Sequence, residues 1–118
     1  MAKYESRLRR GNFDELLRLI DDGVVSGSMS ASREDGSDYR NSTTRCAVRV
    51  YERYSMAGSN RVSMNVTLIG DGDELFLSAI TSGGSQAVLF KINTLGEESF
   101  LRCVVDIVED YRDRLRGV

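Results

Sequence analysis

Alternation with a period of two runs through the middle of this chain, and a helical period of 3.6 marks each flank. Over residues 45–56, Cys46, Val48, Val50, Tyr54 and Met56 fall on one side, with Arg45, Ala47, Arg49, Tyr51 and Arg53 on the other. After Ala57, Gly58, Ser59 and Asn60, the residues Val62, Met64, Val66 and Leu68 alternate with Arg61, Ser63, Asn65 and Thr67. Two such runs around a short glycine-containing turn predict an antiparallel hairpin with one apolar face. On this pattern the aliphatic side of the first strand faces the core and its arginines face water. Gly70, Asp71, Gly72 and Asp73 form the next turn, and residues 74–80 are apolar on both sides, as in a strand covered on both faces.

Residues 3–10 also alternate and predict a short strand that Gly11 ends. Asn12 and Glu15 then form a capping pair. Phe13, Leu16, Leu17, Ile20 and Val24 share one helical stripe, and Gly23 suits a left-handed cap near Asp22. Residues 26–32 suggest a weak strand. Residues 33–44 are polar, rich in turn formers, and predict a mobile loop or a wide hairpin connection. Residues 81–85 turn again, and 87–92 predict a last strand. Thr94 and Glu97 form a second capping pair ahead of Phe100, Leu101, Val104, Ile107, Val108, Tyr111 and Leu115, a helix of about five turns. The expected order is β-α-β-β-β-β-β-α. It describes a single α+β domain over residues 1–118, an antiparallel meander of five to six strands with both helices on one face, similar to helix-grip folds in architecture alone.

Composition narrows the chemistry. The chain has 118 residues, 41% hydrophobic and 29% charged, with a net charge of −2, which suits one globular domain and gives no general attraction to nucleic acid or to anionic membranes. No apolar run approaches the ~20 residues of a membrane span, and the N-terminus lacks the pattern of an export signal, so a cytoplasmic protein without membrane or nucleic-acid partners is expected. Cys46 and Cys103 then read as reduced, buried thiols. Histidine is absent, which removes the usual general base and the commonest metal ligand. Ser82 and Ser85 have no base to activate them. Residues 71–74 lack the 12-residue ligand pattern of a calcium loop. Residues 81–86 lack the spacing of a phosphate loop. No catalytic residue, metal or cofactor is expected, and an enzyme is the least supported class.

The stretches CAVRVYERYS from Cys46, NRVSMNVTLI from Asn60 and TSGGSQAVLFKI from Thr81 resemble a family of short uncharacterised bacterial proteins, a domain of unknown function. The resemblance implies a bacterial, stand-alone domain and carries over neither an activity nor a site residue.

Two features remain as candidate sites. Arg45, Arg49 and Arg53 form a row ~13 Å long with Tyr51 between them, and Arg61 lies on the neighbouring strand. Guanidinium forks bind carboxylate and phosphate, so this row is a solvated face, a dimer interface or an anion site. Glu52 falls in register with the residues expected inside. There it is either a polar handle in a cavity or a residue carried out to solvent by a bulge or met by an arginine. Two functions follow: a non-enzymatic interaction module that self-associates, because Phe76 and Ile80 lack a cover, and a carrier of a small anionic or apolar ligand between the C-terminal helix and the sheet, with Glu52 at the wall.

Overall fold

The computed structural model describes residues 1–28, 30–54, 61–83 and 90–117, the side chains of 90–95 excepted. Strands β1 (Ala2–Leu8), β2 (Ser32–Arg40), β3 (Thr44–Tyr54), β4 (Arg61–Asp71) and β5 (Glu74–Gly83) form one antiparallel sheet in the order β1-β5-β4-β3-β2. Helices α1 (Phe13–Ser26) and α2 (Phe90–Leu115) lie on one face of it. The expected α+β architecture therefore holds, with five strands. β2 to β5 meander across the sheet, and β1 closes the far edge beside β5.

The hairpin register overturns one expectation. Tyr54 pairs with Arg61 and Arg49 with Val66, so odd-numbered residues of β3 stand beside even-numbered residues of β4. Val62, Met64, Val66 and Leu68 are buried under the helices, which carries Arg45, Ala47, Arg49, Tyr51 and Arg53 to the inner face with them. Cys46, Val48, Val50 and Glu52 are on the outer face and half-buried. Alternation fixes which residues share a face. It does not say which face is covered.

Other expectations are corrected too. The polar stretch 33–44 is chiefly the edge strand β2, whose exposed Arg, Glu and Asp side chains suit an edge that must not pair further. Of the weak strand expected at 26–32, Ser26 instead ends α1 and only Ser32 is a strand residue, the first of β2, residue 29 lying outside the described residues. β5 runs on through Gly83, so Thr81 and Ser82 are strand residues. In the strand expected at 87–92, residues 87–89 lie outside the described residues, whereas 90–92 begin α2. Thr94 is therefore inside a helix, and Glu97 is no cap. Its carboxylate is buried and accepts a hydrogen bond from the Met1 amino group at 3.1 Å.

Asn12 does cap α1, its Oδ1 accepting from the Glu15 N–H at 2.8 Å. Phe13, Leu16, Ile20 and Val24 are its buried stripe, contributing roughly 6–12 kcal/mol gross at ~1.5–3 each. Gly23 does not end the helix. A Cβ there would stand 2.5 Å from Ile107 Cδ1, so the missing side chain lets α1 approach α2. The core joins these residues to Leu75, Leu77 and Ala79 of β5 and Phe100, Val104, Val108 and Tyr111 of α2. Gly72, at φ 62, supplies the left-handed position in the tight β4–β5 turn.

Candidate functional site

The structure separates the six residues singled out by the sequence. Arg45, Arg49, Tyr51 and Arg53 point toward the helices, while Glu52 and Arg61 stay on the open side. Each inner arginine meets a specific partner. Arg45 stacks on the Phe13 ring at 4.3 Å and reaches Asp14 at 2.7 Å, both residues of α1. Arg53 lies 4.7 Å over the Phe100 ring, and its Nη2 donates to the Gly96 carbonyl at 3.4 Å. These long side chains cover apolar surface with their stems while the guanidinium finds polar groups at the rim.

Arg49 is the most enclosed of them, 6% exposed. Its Nη1 donates to the Val48 carbonyl at 3.0 Å, and its Nη2 to Asp38 at 3.1 Å. Its Nε lies 3.7 Å from Asp21 and makes no hydrogen bond. Asp21, on α1, also accepts a short hydrogen bond from the Tyr51 hydroxyl and lies 3.6 Å from Arg33. Burial first, and then the Asp21 carboxylate, raise the Tyr51 pKa far above the usual phenol value. Tyr51 is thus a neutral hydrogen-bond donor, and the network fastens α1 to β2 and β3. The row's arginines are committed to holding the layers together.

Glu52 is neither buried nor in a cavity wall. It lies on the outer face, 2.6 Å from Arg61, and accepts from Ser63 Oγ at 3.1 Å. Arg61 also stands 3.8 Å from Glu34 and 5.5 Å from the Tyr54 ring centroid. The arginine that was to meet Glu52 exists, and both are surface residues.

No element among the described residues covers the outer face. Ladder pairing arranges it in rows across the strands. One row runs Tyr39, Cys46, Ile69, Phe76 and Arg7; another runs Asp35, Val50, Asn65, Ile80 and Lys3. Tyr39 is 62% exposed and Ile80 38%. Between these two rows runs Ser37, Val48, Thr67, Ser78 and Glu5, so apolar and small polar side chains share the middle, and the row from Asp35 to Lys3 carries an acid at the β2 edge and a base at the β1 edge. Phe76 and Ile80 were recognisable in the sequence as lacking a cover. Cys46, Val48 and Val50 were missed, because it is the Tyr54–Arg61 register, seen only in the structure, that places them beside the polar side of β4.

Other chemistry is sparse. Cys46 and Cys103 are free thiols, half-buried rather than buried. Among the described residues, no group of three His, Cys, Asp or Glu side chains could hold a metal ion. No helix there is long and apolar enough to cross a membrane. Among the described residues, open clefts of about 290 Å³ lie beside the β2–β3 turn, of about 310 Å³ beside the C-terminal end of α2 and of about 480 Å³ near Met1 and Arg102.

No curated protein and no solved structure matches the chain. The family model for a family of unknown function, DUF6054, matches residues 1–112, and the chain belongs to that family.

Proposed function

We propose that this protein is a non-catalytic interaction module that self-associates through the outer face of its sheet. The observation that carries the reading is that face itself, uncovered among the described residues, with Ile69 beside Phe76 and with Val48, Val50 and Ile80 on the same side of the sheet. Five strands at ~4.8 Å spacing and about ten residues at ~3.3 Å give a face of roughly 800 Å², the area each partner contributes to a standard interface.

A second copy suits the face because its charges are self-complementary. A two-fold axis parallel to the strands lays the β1 edge of one copy over the β2 edge of the other. Lys3 then meets Asp35 of the partner, and Ile69 lies against its own copy. The carrier reading keeps less support, because Glu52 lies outside the helix–sheet layer and side chains fill that layer where it is described.

Sedimentation velocity over 1–200 μM provides the test. A concentration-dependent dimer is expected, and Ile80→Glu, on an exposed strand position, should shift it to monomer with an unchanged circular dichroism spectrum. A monomer across the whole range would sink the proposal, as would a dimer indifferent to both Ile80→Glu and Val50→Glu.

A further inference from the structure

Positive charge is distributed unevenly over this acidic chain. It holds 16 Lys and Arg against 18 Asp and Glu. Arg33, Arg45, Arg49, Arg61, Arg112 and Arg114 lie in ion pairs. Arg7, Arg9, Arg10 and Arg116 form none among the described residues, and all four line one cleft of about 310 Å³ together with Arg112, Leu8 and Leu115. The cleft is built from three places in the chain: the end of β1, the β1–α1 connection and the last turn of α2.

Arg112 is fixed there. Its Nη1 donates to the Arg7 carbonyl at 3.1 Å, its Nη2 to Ser6 Oγ, and its Nε lies 3.4 Å from Glu109. Arg7 contributes its backbone there, its side chain belonging to the outer face, while Arg9, Arg10 and Arg116 are exposed and like-charged residues lining one volume. A helix C-terminus supplies about half a negative charge, which suits Arg112, Arg114 and Arg116 at the end of α2 but leaves Arg9 and Arg10 beside them unexplained. Glu109 answers Arg112 and, at longer range, Arg116, but Arg9 and Arg10 form no ion pair among the described residues, and the remaining repulsion is relieved when a multiply charged anion enters. Guanidinium forks match the oxygens of a phosphate, while the two leucines offer an apolar wall. The volume is at the small end of ligand sites.

We infer that this cleft binds a small phosphorylated organic anion, its phosphate held by Arg9, Arg10 and Arg116 and its carbon skeleton set against Leu8 and Leu115. The site is separate from the inner arginine row, whose guanidiniums are engaged by the protein. It does not depend on self-association.

Calorimetric titration of the full chain with inorganic phosphate and with phenyl phosphate, at about 0.15 M salt, tests the assignment. Saturable binding of both probes is expected, phenyl phosphate at least threefold tighter. The Arg9→Ser/Arg10→Ser pair should weaken phenyl phosphate at least tenfold. Arg18→Ser/Arg102→Ser, which removes the same charge from exposed positions elsewhere, should change it less than twofold. Arg116→Ser supplies a second variant should the first pair fail to fold. No saturable binding, or equal losses in the two double variants, would overturn the site, and equal affinity for the two probes would overturn its organic preference.

Discussion

At the scale of single residues, the inner face of β3 shows how a charged side chain is held inside a small domain. Arg49 is answered by Asp38 and two carbonyls, with Asp21 close by. Removing one member of a buried ionic group strands its partners, but Asp38 is 62% exposed and keeps its hydration. Arg49→Ala should therefore cost about 2–3 kcal/mol, at or below the usual range for such a loss. Arg49→Met, which retains the apolar stem, should cost about half as much, and urea midpoints measure both. Tyr51→Phe removes one hydrogen bond to a carboxylate that still faces Arg33 and Arg49, a loss of about 1–2 kcal/mol. The same residue sets an alkaline limit. Burial is the main cause of the raised pKa values of Tyr4, Tyr51 and Tyr111 in the folded state, and an unfolded tyrosine titrates near ~10. A raised folded pKa gives stability that is complete below the unfolded value and lost as pH rises above it. Unfolding free energy should thus fall above about pH 10, and Tyr51→Phe should flatten that fall.

At the scale of elements, what the sequence revealed depended on how each segment is partnered. α1 was legible because cap and stripe agree: Asn12, then Phe13, Leu16, Ile20 and Val24. Asn12→Ala should cost about 1 kcal/mol. It leaves intact the bond from the Asn12 backbone N–H to the Tyr111 hydroxyl at 2.8 Å, so thermal unfolding should show the loss of one cap and not of the α1–α2 contact. β2 was illegible as a strand because an edge strand gets its hydrogen bonds from one neighbour and needs no apolar side chain, and Ser32–Arg40 carries almost none. Gly23 misled for a different reason. Its lack of a side chain is spent on the approach to Ile107, a tertiary contact with no local signature. β3 was legible as a strand and not as a face. Its even positions are aliphatic, yet its odd ones carry Ala47, Tyr51 and three arginines with apolar stems, so both sides could be buried. The outcome is decided by register with β4 and by Asp14 and Asp21 of α1, which receive the arginines. The arginine cleft was hidden likewise, since Arg9 and Arg116 meet only once β1 and α2 lie side by side.

At the scale of the whole molecule, two helices on one side of a five-stranded sheet leave the other side uncovered among the described residues, and in the proposed dimer charge determines how the second copy sits. Lys3 and Asp35 lie at opposite ends of one row across the sheet. With the two-fold axis parallel to the strands, each lysine meets the partner's aspartate. With the axis perpendicular to the strands and in the plane of the sheet, β1 lies over β1, so Lys3 approaches Arg7 of the partner and Glu5 its own copy. The two arrangements differ in the sign of one substitution. In the parallel arrangement Lys3→Asp faces Asp35 of the partner and weakens the dimer, Asp35→Lys does the same against Lys3, and the double swap restores the attraction. In the perpendicular one Lys3→Asp removes a repulsion from Arg7 and tightens the dimer. Rim pairs of this kind contribute about 0.2–1 kcal/mol each, like charges cost a similar amount, and a symmetric dimer contains two, so each single swap should change the dissociation constant by at least about fourfold and the double swap should return it to near the starting value. The intramolecular Lys3–Glu5 contact, 4.0 Å long and exposed, is too weak to mask that pattern. Sedimentation equilibrium on the four proteins at about 0.05 M salt, where exposed charges are least screened, gives the cycle. Weakening in both single variants with recovery in the double supports the strand-parallel dimer, and tightening by Lys3→Asp alone would reject it.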